Sequence, residues 1–469
     1  MKTYDIVVIG GGPGGYTAAL HAAKLGQKTA LIEADFLGGT CLNRGCIPSK
    51  TYLKHADIIE QIEKGKEWGI DSGPLQLSLS KMKNRKDDVI KRLRNGIAFL
   101  LKNGTVDVYD GYGTVLPDGK VTIQSVDKEE KLMIKGDKVI IATGSAPAVP
   151  PISGLDTVHY ETSDTVFDLD EIPKSVIIIG GGVIGVEFAT IFASLQSDVT
   201  IIEASDRIIP TEDREASQFL TKMLEKKGIT IHTGTKVQSI QESDGKKLVR
   251  CEDAKGKERT LCAETLIVST GRRPNVAAVA ELHLETNGPF LKVNSQMETS
   301  ATNIYAIGDV IGGWQLAHAA SAEGIVAANN ASGRNDFIDY KVMPRCIYTL
   351  PEIASVGLSE EEAKKEGLEV RIEKFDFAGS GKAISAGQPE GFTKIIYEKK
   401  FGEIIGVVMA GVHVTELIAN ASAFMYLEGT IEEAATMIHP HPTIAETFYE
   451  AAMNAAYKSK EKQEIQSAI

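Results

Sequence analysis

Two stretches of the chain follow one plan: YDIVVIGGGPGGYTAALHAAKLGQKTALIEA from Tyr4 and KSVIIIGGGVIGVEFATIFASLQSDVTIIEA from Lys174. In each, a β-branched run stops at glycines, a stretch of small residues follows, and a second apolar run ends in an acid. That order is strand, helix, strand. Gly10, Gly12 and Gly15 in the first copy and Gly180, Gly182 and Gly185 in the second both satisfy G-x-G-x-x-G. The first glycine permits a tight turn, the second lets backbone approach a pyrophosphate, and the third lets helix pack on strand, with phosphate at the positive helix N-terminus. Glu33 and Glu203 close the second strands. A carboxylate there accepts hydrogen bonds from a ribose 2′-hydroxyl and repels a 2′-phosphate. One such motif alone is a glycine-rich turn as readily as a site; two complete copies imply two dinucleotides.

If electrons pass between two dinucleotides, the natural pair is a bound flavin and a diffusible nicotinamide. The rest of the chain bounds this reading. At roughly 100–200 residues per domain, 469 residues make about three domains. Lys plus Arg number 51 against 63 Asp plus Glu, a net charge of −12, and no long basic stripe is present, which argues against a nucleic-acid partner. The N-terminal apolar run follows Asp5 and dissolves into glycine, so it reads as a strand and not a signal peptide. The apolar stretch from Val176 to Leu195 is interrupted by three glycines and Glu187, so no membrane span is expected. Five cysteines, an odd count thinly spread, do not form a disulfide framework and fit a reducing, cytoplasmic compartment.

Directly after the first module comes GGTCLNRGCIPSK, Gly38 to Lys50, with Cys41 and Cys46 separated by four residues. In a regular helix that step rises about 7.5 Å, beyond the roughly 4.4–6.8 Å between disulfide Cα atoms. A bridge requires a distorted turn, which Gly45 and Pro48 permit, and strained or exposed disulfides are the labile, catalytic ones. Two unconnected thiols and half a metal site are the alternatives; no neighbouring Cys/His cluster supplies four zinc ligands, so no metal is expected. Cys251, Cys262 and Cys346 lack comparable context and read as structural.

These residues make the chain resemble the flavin-dependent pyridine-nucleotide disulfide oxidoreductases along essentially its whole length. GCIPSK is similar to the dihydrolipoamide dehydrogenases of that family, whereas glutathione reductases usually carry two lysines in place of Ser49-Lys50. Ile184 stands where the glutathione reductases usually place a tyrosine, and Glu203 is followed by Ala-Ser-Asp without the arginines of NADPH users. VIIATGSAPAVPP (Val139 to Pro151, with Thr143 and Gly144) and LIVSTGRRPN (Leu266 to Asn275, with Gly271) resemble the segments that leave the FAD and NAD domains. TNIYAIGDV resembles the second FAD segment, which implies that Asp309 accepts from a ribitol hydroxyl, and the helix beginning at Ala317-His318 is implied to stabilise charge on the flavin pyrimidine ring.

Near the C-terminus, HPHPTIAE holds His439, His441 and Glu446. A histidine and a carboxylate suit a general acid/base and its orienting partner, although five-residue spacing does not by itself force contact. Relatives read H-x-H-P-T-x-x-E, which implies that His441 is the base, Glu446 orients it and His439 is structural. Pro440, GVHVTELI (Gly411 to Ile418), Arg44 and Thr51-Tyr52 depart from the commonest versions. The expected fold is α/β: two Rossmann-like dinucleotide-binding domains and a C-terminal α/β dimerisation domain, with boundaries at 1–149 (FAD), 150–276 (NAD), 277–343 (central, completing the FAD site) and 344–469 (interface). The resemblance implies oxidation of protein-bound dihydrolipoamide by NAD. In it, His441 deprotonates the dithiol, Cys41 exchanges with it, Cys46 faces the flavin, and Lys50 pairs with Glu187 beside the isoalloxazine. The implied partners are a lipoyl-bearing carrier domain and a second copy of the chain. A reductase of another disulfide and a scaffold subunit are the alternatives.

Overall fold

The computed structural model describes residues 1–126 and 130–467; residues 127–129 and the last two of the 344–469 segment lie outside the described residues. Strand β1 (Lys2–Ile9) ends in an apolar run in which Ile6, Val7 and Val8 are fully buried. Both faces are covered, as in a central parallel strand, and each such side chain contributes about 1.5–3 kcal/mol by burial. Helix α1 (Pro13–Lys24) starts with proline at its first position, where the missing N–H costs nothing. Strand β2 (Thr29–Glu33) then runs parallel to β1, pairing Ile6 with Thr29 and Ile9 with Ile32.

The first sheet is ordered Asp107–Asp110, β2, β1, Lys131–Ile141, all parallel, with Ile304–Ala306 parallel to the far end of Lys131–Ile141. Lys120–Gln124 and Tyr112–Val115 extend it antiparallel. The turns that leave β1, Lys131–Ile141 and Ile304–Ala306 therefore meet at one edge, which brings Gly10, Thr143 and Asp309 together, the place where open α/β sheets bind ligands.

The second module repeats the plan. Ser175–Ile179, helix Val183–Ser194 and Asp198–Ile202 form its core, and the sheet order Thr230–His232, Asp198–Ile202, Ser175–Ile179, Thr265–Val268 is wholly parallel. Gly10 has φ 105° and Gly180 φ 106°. A Cβ on Gly15 would fall 1.8 Å from the Gly10 carbonyl oxygen and one on Gly185 1.9 Å from that of Gly180, so both third glycines are required by contact. A three-stranded antiparallel sheet (Thr235–Ser243, Lys246–Asp253, Glu258–Ala263) flanks this module.

The C-terminal part is a five-stranded antiparallel sheet with helices Val414–Tyr426, Ile431–Thr436 and Glu446–Ser467. A buried ion pair, Lys394 Nζ to Asp213 Oδ1 at 2.7 Å, joins it to the second module, beside Arg345 and Glu212 at 3.2 Å. Stranding one charge of such a pair costs on the order of 3–5 kcal/mol, so the two parts are held in fixed register.

The cysteine segment departs from a regular helix. Helix α2 (Gly39–Asn43) stops after five residues, Gly45 turns the chain at φ −116°, ψ −106°, and helix α3 (Cys46–Glu63) starts anew. Cys41 and Cys46 thus sit on two helices, and the rise of a single helix does not separate them. Helix α4 (Leu79–Asn103) returns alongside, burying Met82, Ile90, Ile97 and Leu101.

Candidate active site

One cleft of about 2450 Å³ runs through the molecule, and its walls include Gly10, Gly12, Glu33, Cys41, Cys46, Lys50, Thr143, Gly144, Gly180, Gly182, Glu187, Glu203, Gly271, Asp309 and Ala317. Gly15 and Gly185 stand behind the wall as packing positions. The middle glycines face open space: a Cβ on Gly182 would meet nothing within 4 Å, and one on Gly12 only the Gly39 Cα at 4.0 Å. These two cradles therefore fit two dinucleotides, with room where pyrophosphate backbone contacts form.

Each strand-end acid is fixed by backbone. Glu33 accepts from Gly11 N–H at 2.5 Å and Asp35 N–H at 2.8 Å; Glu203 accepts from Gly181 N–H at 2.6 Å and Ser205 N–H at 2.7 Å. A carboxylate has about four acceptor positions, so each acid retains capacity for ribose hydroxyls while its orientation is set. Burial pushes the Glu33 carboxyl above its ordinary range, against the pull of those N–H groups. The motif spacing alone gives no sign of this support.

Cys41 and Cys46 are free cysteines close enough for each to be the largest influence on the other's ionisation. Contact with Cys46 and burial raise the Cys41 thiol, while contact with Cys41, assisted by the nearby Lys50 charge, lowers Cys46 to about 7. Of the two, Cys46 is the sulfur disposed to carry negative charge and Cys41 the one disposed to keep a proton. Lys50, one helical turn after Cys46, holds both carboxylate oxygens of Glu187 at 3.0 Å and stands 4.2 Å from the Tyr348 ring centre. Tyr348 N–H donates to the same carboxylate at 3.1 Å, a contact that sequence reasoning missed.

Asp309 accepts from Ser145 Oγ at 2.5 Å and lies 3.5 Å from Arg272 Nε. Arg272 stands inside the quoted GRRPN run and received no role from it. The preceding Gly308 N–H donates to buried Glu323 at 2.6 Å, and Tyr340 hydroxyl donates to the other oxygen at 2.7 Å. Helix Ala317–Ala331 opens on the cleft with no side-chain cap on its first N–H groups.

Cys346, read as structural, also lines this cleft; burial raises its thiol to about 11, and its sulfur lies 3.8 Å from Thr415 O.

His441 and Glu446 do meet. His441 Nδ1 lies 2.8 Å from Glu446 Oε1, and Thr443 N–H donates to Oε2 at 2.8 Å. The Thr443 N–H and the imidazole hold the Glu446 carboxyl below its ordinary range. With Nδ1–H donated to the carboxylate, Nε2 is the basic nitrogen. His439 instead packs on Tyr449, ring centres 5.4 Å apart, and burial lowers its basicity. His441, its side chain 79% exposed, is not among the residues lining the cleft of its own chain. Among the described residues no cluster of His, Cys, Asp or Glu could hold a metal, and no helix is long and apolar enough to cross a membrane.

Comparison with known proteins agrees with this geometry. Residues 4–324 match the pyridine nucleotide-disulphide oxidoreductase family and residues 343–452 its dimerisation domain. The chain is similar to a dihydrolipoyl dehydrogenase of Bacillus subtilis (strain 168), 42% identical over 97% of this chain and 98% of the relative, and to one of Thermus scotoductus, 38% identical over 96% and 97%. Among solved structures it is similar to LpdA from Mycobacterium tuberculosis (TM-score 0.88, 26% identity, 97% and 100% covered) and to the HOCl-induced flavoprotein disulfide reductase RclA from Escherichia coli, solved as a Cu(II) complex (TM-score 0.86, 28% identity, 97% and 99% covered). A thiol pair set between two dinucleotide cradles and matched over nearly the full length admits one assignment: the chain belongs to the pyridine nucleotide-disulphide oxidoreductase family.

Proposed function

We propose that the protein is a dihydrolipoyl dehydrogenase, oxidising the dihydrolipoamide of a carrier domain with NAD as acceptor. The observation that carries this reading is the placement of Cys41 and Cys46, beside the Lys50–Glu187 pair, in a cleft shared by two dinucleotide modules. When bound in the first module, FAD would supply the two-electron carrier between the thiols and NAD. Gly10, Gly12 and Gly15 would hold the FAD pyrophosphate, with Glu33 on its ribose and Asp309, oriented by Ser145 and Arg272, on its ribitol. Thr143, Gly144 and the helix start at Ala317 would complete that site. Gly180, Gly182 and Gly185 would hold NAD, with Glu203 on its ribose and Gly271 beside it.

His441 of the partner subunit removes a proton from the substrate dithiol, with Glu446 fixing its tautomer. In the oxidised enzyme, with Cys41 and Cys46 joined as a disulfide, the substrate thiolate forms a bond to the Cys41 sulfur as the Cys41–Cys46 bond breaks and Cys46 leaves as the thiolate. The second substrate thiol, its proton passing to the departing Cys41 sulfur, then displaces Cys41, leaving the substrate oxidised by two electrons and the enzyme pair reduced. Lys50 stabilises the Cys46 thiolate and is held in place by Glu187. A homodimer, a lipoyl-bearing carrier and a cytoplasmic setting accord with the family's dimerisation domain and with free thiols.

Steady-state assays test the reading. Turnover with dihydrolipoamide and NAD should exceed turnover of NADH with oxidised low-molecular-weight thiols, and NAD should be preferred to NADP, with Glu203→Ala reducing mainly that preference. Comparable rates on both substrate classes would favour a general disulfide reductase. A second expected outcome concerns pH. In the reduced enzyme, alkylation of Cys46 by iodoacetamide should accelerate as pH rises through about 7. Cys41→Ala removes the largest stabilising contact and should move that rise to higher pH; an unmoved midpoint would refute the division of the pair.

A further inference from the structure

Helix α2 carries Cys41 yet spans only Gly39–Asn43. Helical segments shorter than about 12 residues do not hold themselves, so its position must come from ties to its surroundings. Asn43 supplies one. Its amide nitrogen donates to Gly39 O at 2.8 Å and Leu37 O at 3.2 Å, and its oxygen accepts from Arg94 Nη2 at 2.6 Å and Nε at 3.2 Å. Arg94 is anchored in α4, and its guanidinium lies 3.7 Å from the centre of the Phe36 ring. One side chain of a long, packed helix thereby fixes both the end of α2 and the loop that enters it. A planar, two-pronged donor is suited to this as lysine is not.

We propose that Arg94, acting through Asn43, is a positioning residue for Cys41 in thiol–disulfide exchange. The proposal rests on the dihydrolipoamide reading above. Exchange requires the attacking sulfur, Cys41 and the departing Cys46 to align, and a misplacement of about 1 Å costs on the order of a hundredfold in rate. Cys46 heads α3, whereas both hydrogen bonds of Arg94 go to Asn43 in α2, so loosening α2 moves one sulfur relative to the other. Electron transfer from NADH to an acceptor that takes electrons without the cysteines does not depend on that alignment.

Two assays on the holoenzyme separate these effects: dihydrolipoamide oxidation by NAD, and NADH oxidation by ferricyanide. Arg94→Met keeps an apolar side chain of similar length beside Phe36 and removes both donors. It should lower kcat in the first assay about tenfold and leave the second within about twofold. Arg94→Lys should recover part of the loss. Asn43→Ala should lower the first assay at least as much, and adding Arg94→Met to it should change nothing further, because Arg94 acts only through Asn43. Wild-type dihydrolipoamide turnover in Arg94→Met, an equal fall in both assays, or additive losses in the double variant would each overturn the proposal. If the wild type itself fails to turn over dihydrolipoamide, the functional reading fails. Alkylation of Cys41 in the NADH-reduced enzyme by iodoacetamide, which needs no lipoyl substrate, then decides the proposal. Arg94→Met should accelerate it at least about threefold as α2 loosens, and an unchanged rate would sink it.

Discussion

Cys46→Ser should abolish dihydrolipoamide oxidation, lowering kcat by at least about a thousandfold, while FAD stays bound. The pyrophosphate cradle of Gly10, Gly12 and Gly15 contains no sulfur and is built on the β1–α1 turn, which the substitution does not touch. Cys41→Ser should abolish the same activity, yet the two variants should differ in spectrum. Environments that push two titrating groups apart assign their roles, and here Cys46 is lowered to about 7 while Cys41 is raised. Cys46 begins α3, with Lys50 one turn along the same helix, so a positive charge follows its sulfur. On two-electron reduction, a long-wavelength absorbance from a thiolate beside the flavin should appear in wild type and be obtainable in Cys41→Ser. It should be absent in Cys46→Ser. Equal loss of the band in both variants would contradict separate roles for the two sulfurs.

How far such roles can be read in a sequence depends on whether the physics is local. The two glycine motifs and their strands are local, and the close contacts of Gly15 with Gly10 and of Gly185 with Gly180 follow from turn geometry over five residues. Glu33 and Glu203 were legible as strand-end acids, but their bonds to Gly11 and Gly181 N–H arise only when the sheet closes and were not. Lys50 and Glu187 lie 137 residues apart, and no spacing rule relates them; family resemblance alone suggested the pair that the structure brings to 3.0 Å. That Cys346 lines the same cleft was likewise not legible, since it lies 300 residues after Cys46. Asn43 received no role from the sequence, because its partner, Arg94, lies 51 residues further on in another helix.

Mixing inactive chains should restore activity. His441 follows Cys46 by 395 residues and belongs to the C-terminal part, which matches the family's dimerisation domain. In the single chain its imidazole is 79% exposed and Ile438 nearby is 94% exposed. A general base on an open surface cannot exclude water, so its action on a dithiol requires a surface that covers it. A closed twofold dimer supplies one and creates two equivalent composite sites, each taking the cysteine pair from one chain and His441 from the other. Chains carrying Cys46→Ser should be inactive toward dihydrolipoamide, and His441→Ala should lower turnover by about 10²–10⁴-fold. In a heterodimer of the two variants, one site inherits both defects and the other neither. Random co-assembly makes about half the dimers heterodimeric with one good site of two, so activity should return to roughly a quarter of wild type. Doubly tagged heterodimers, purified after co-expression, should reach about half. If the cysteines and His441 of one site came from the same chain, every heterodimer site would keep one defect. Purified heterodimers no more active than the His441→Ala parent would therefore rule out the shared site.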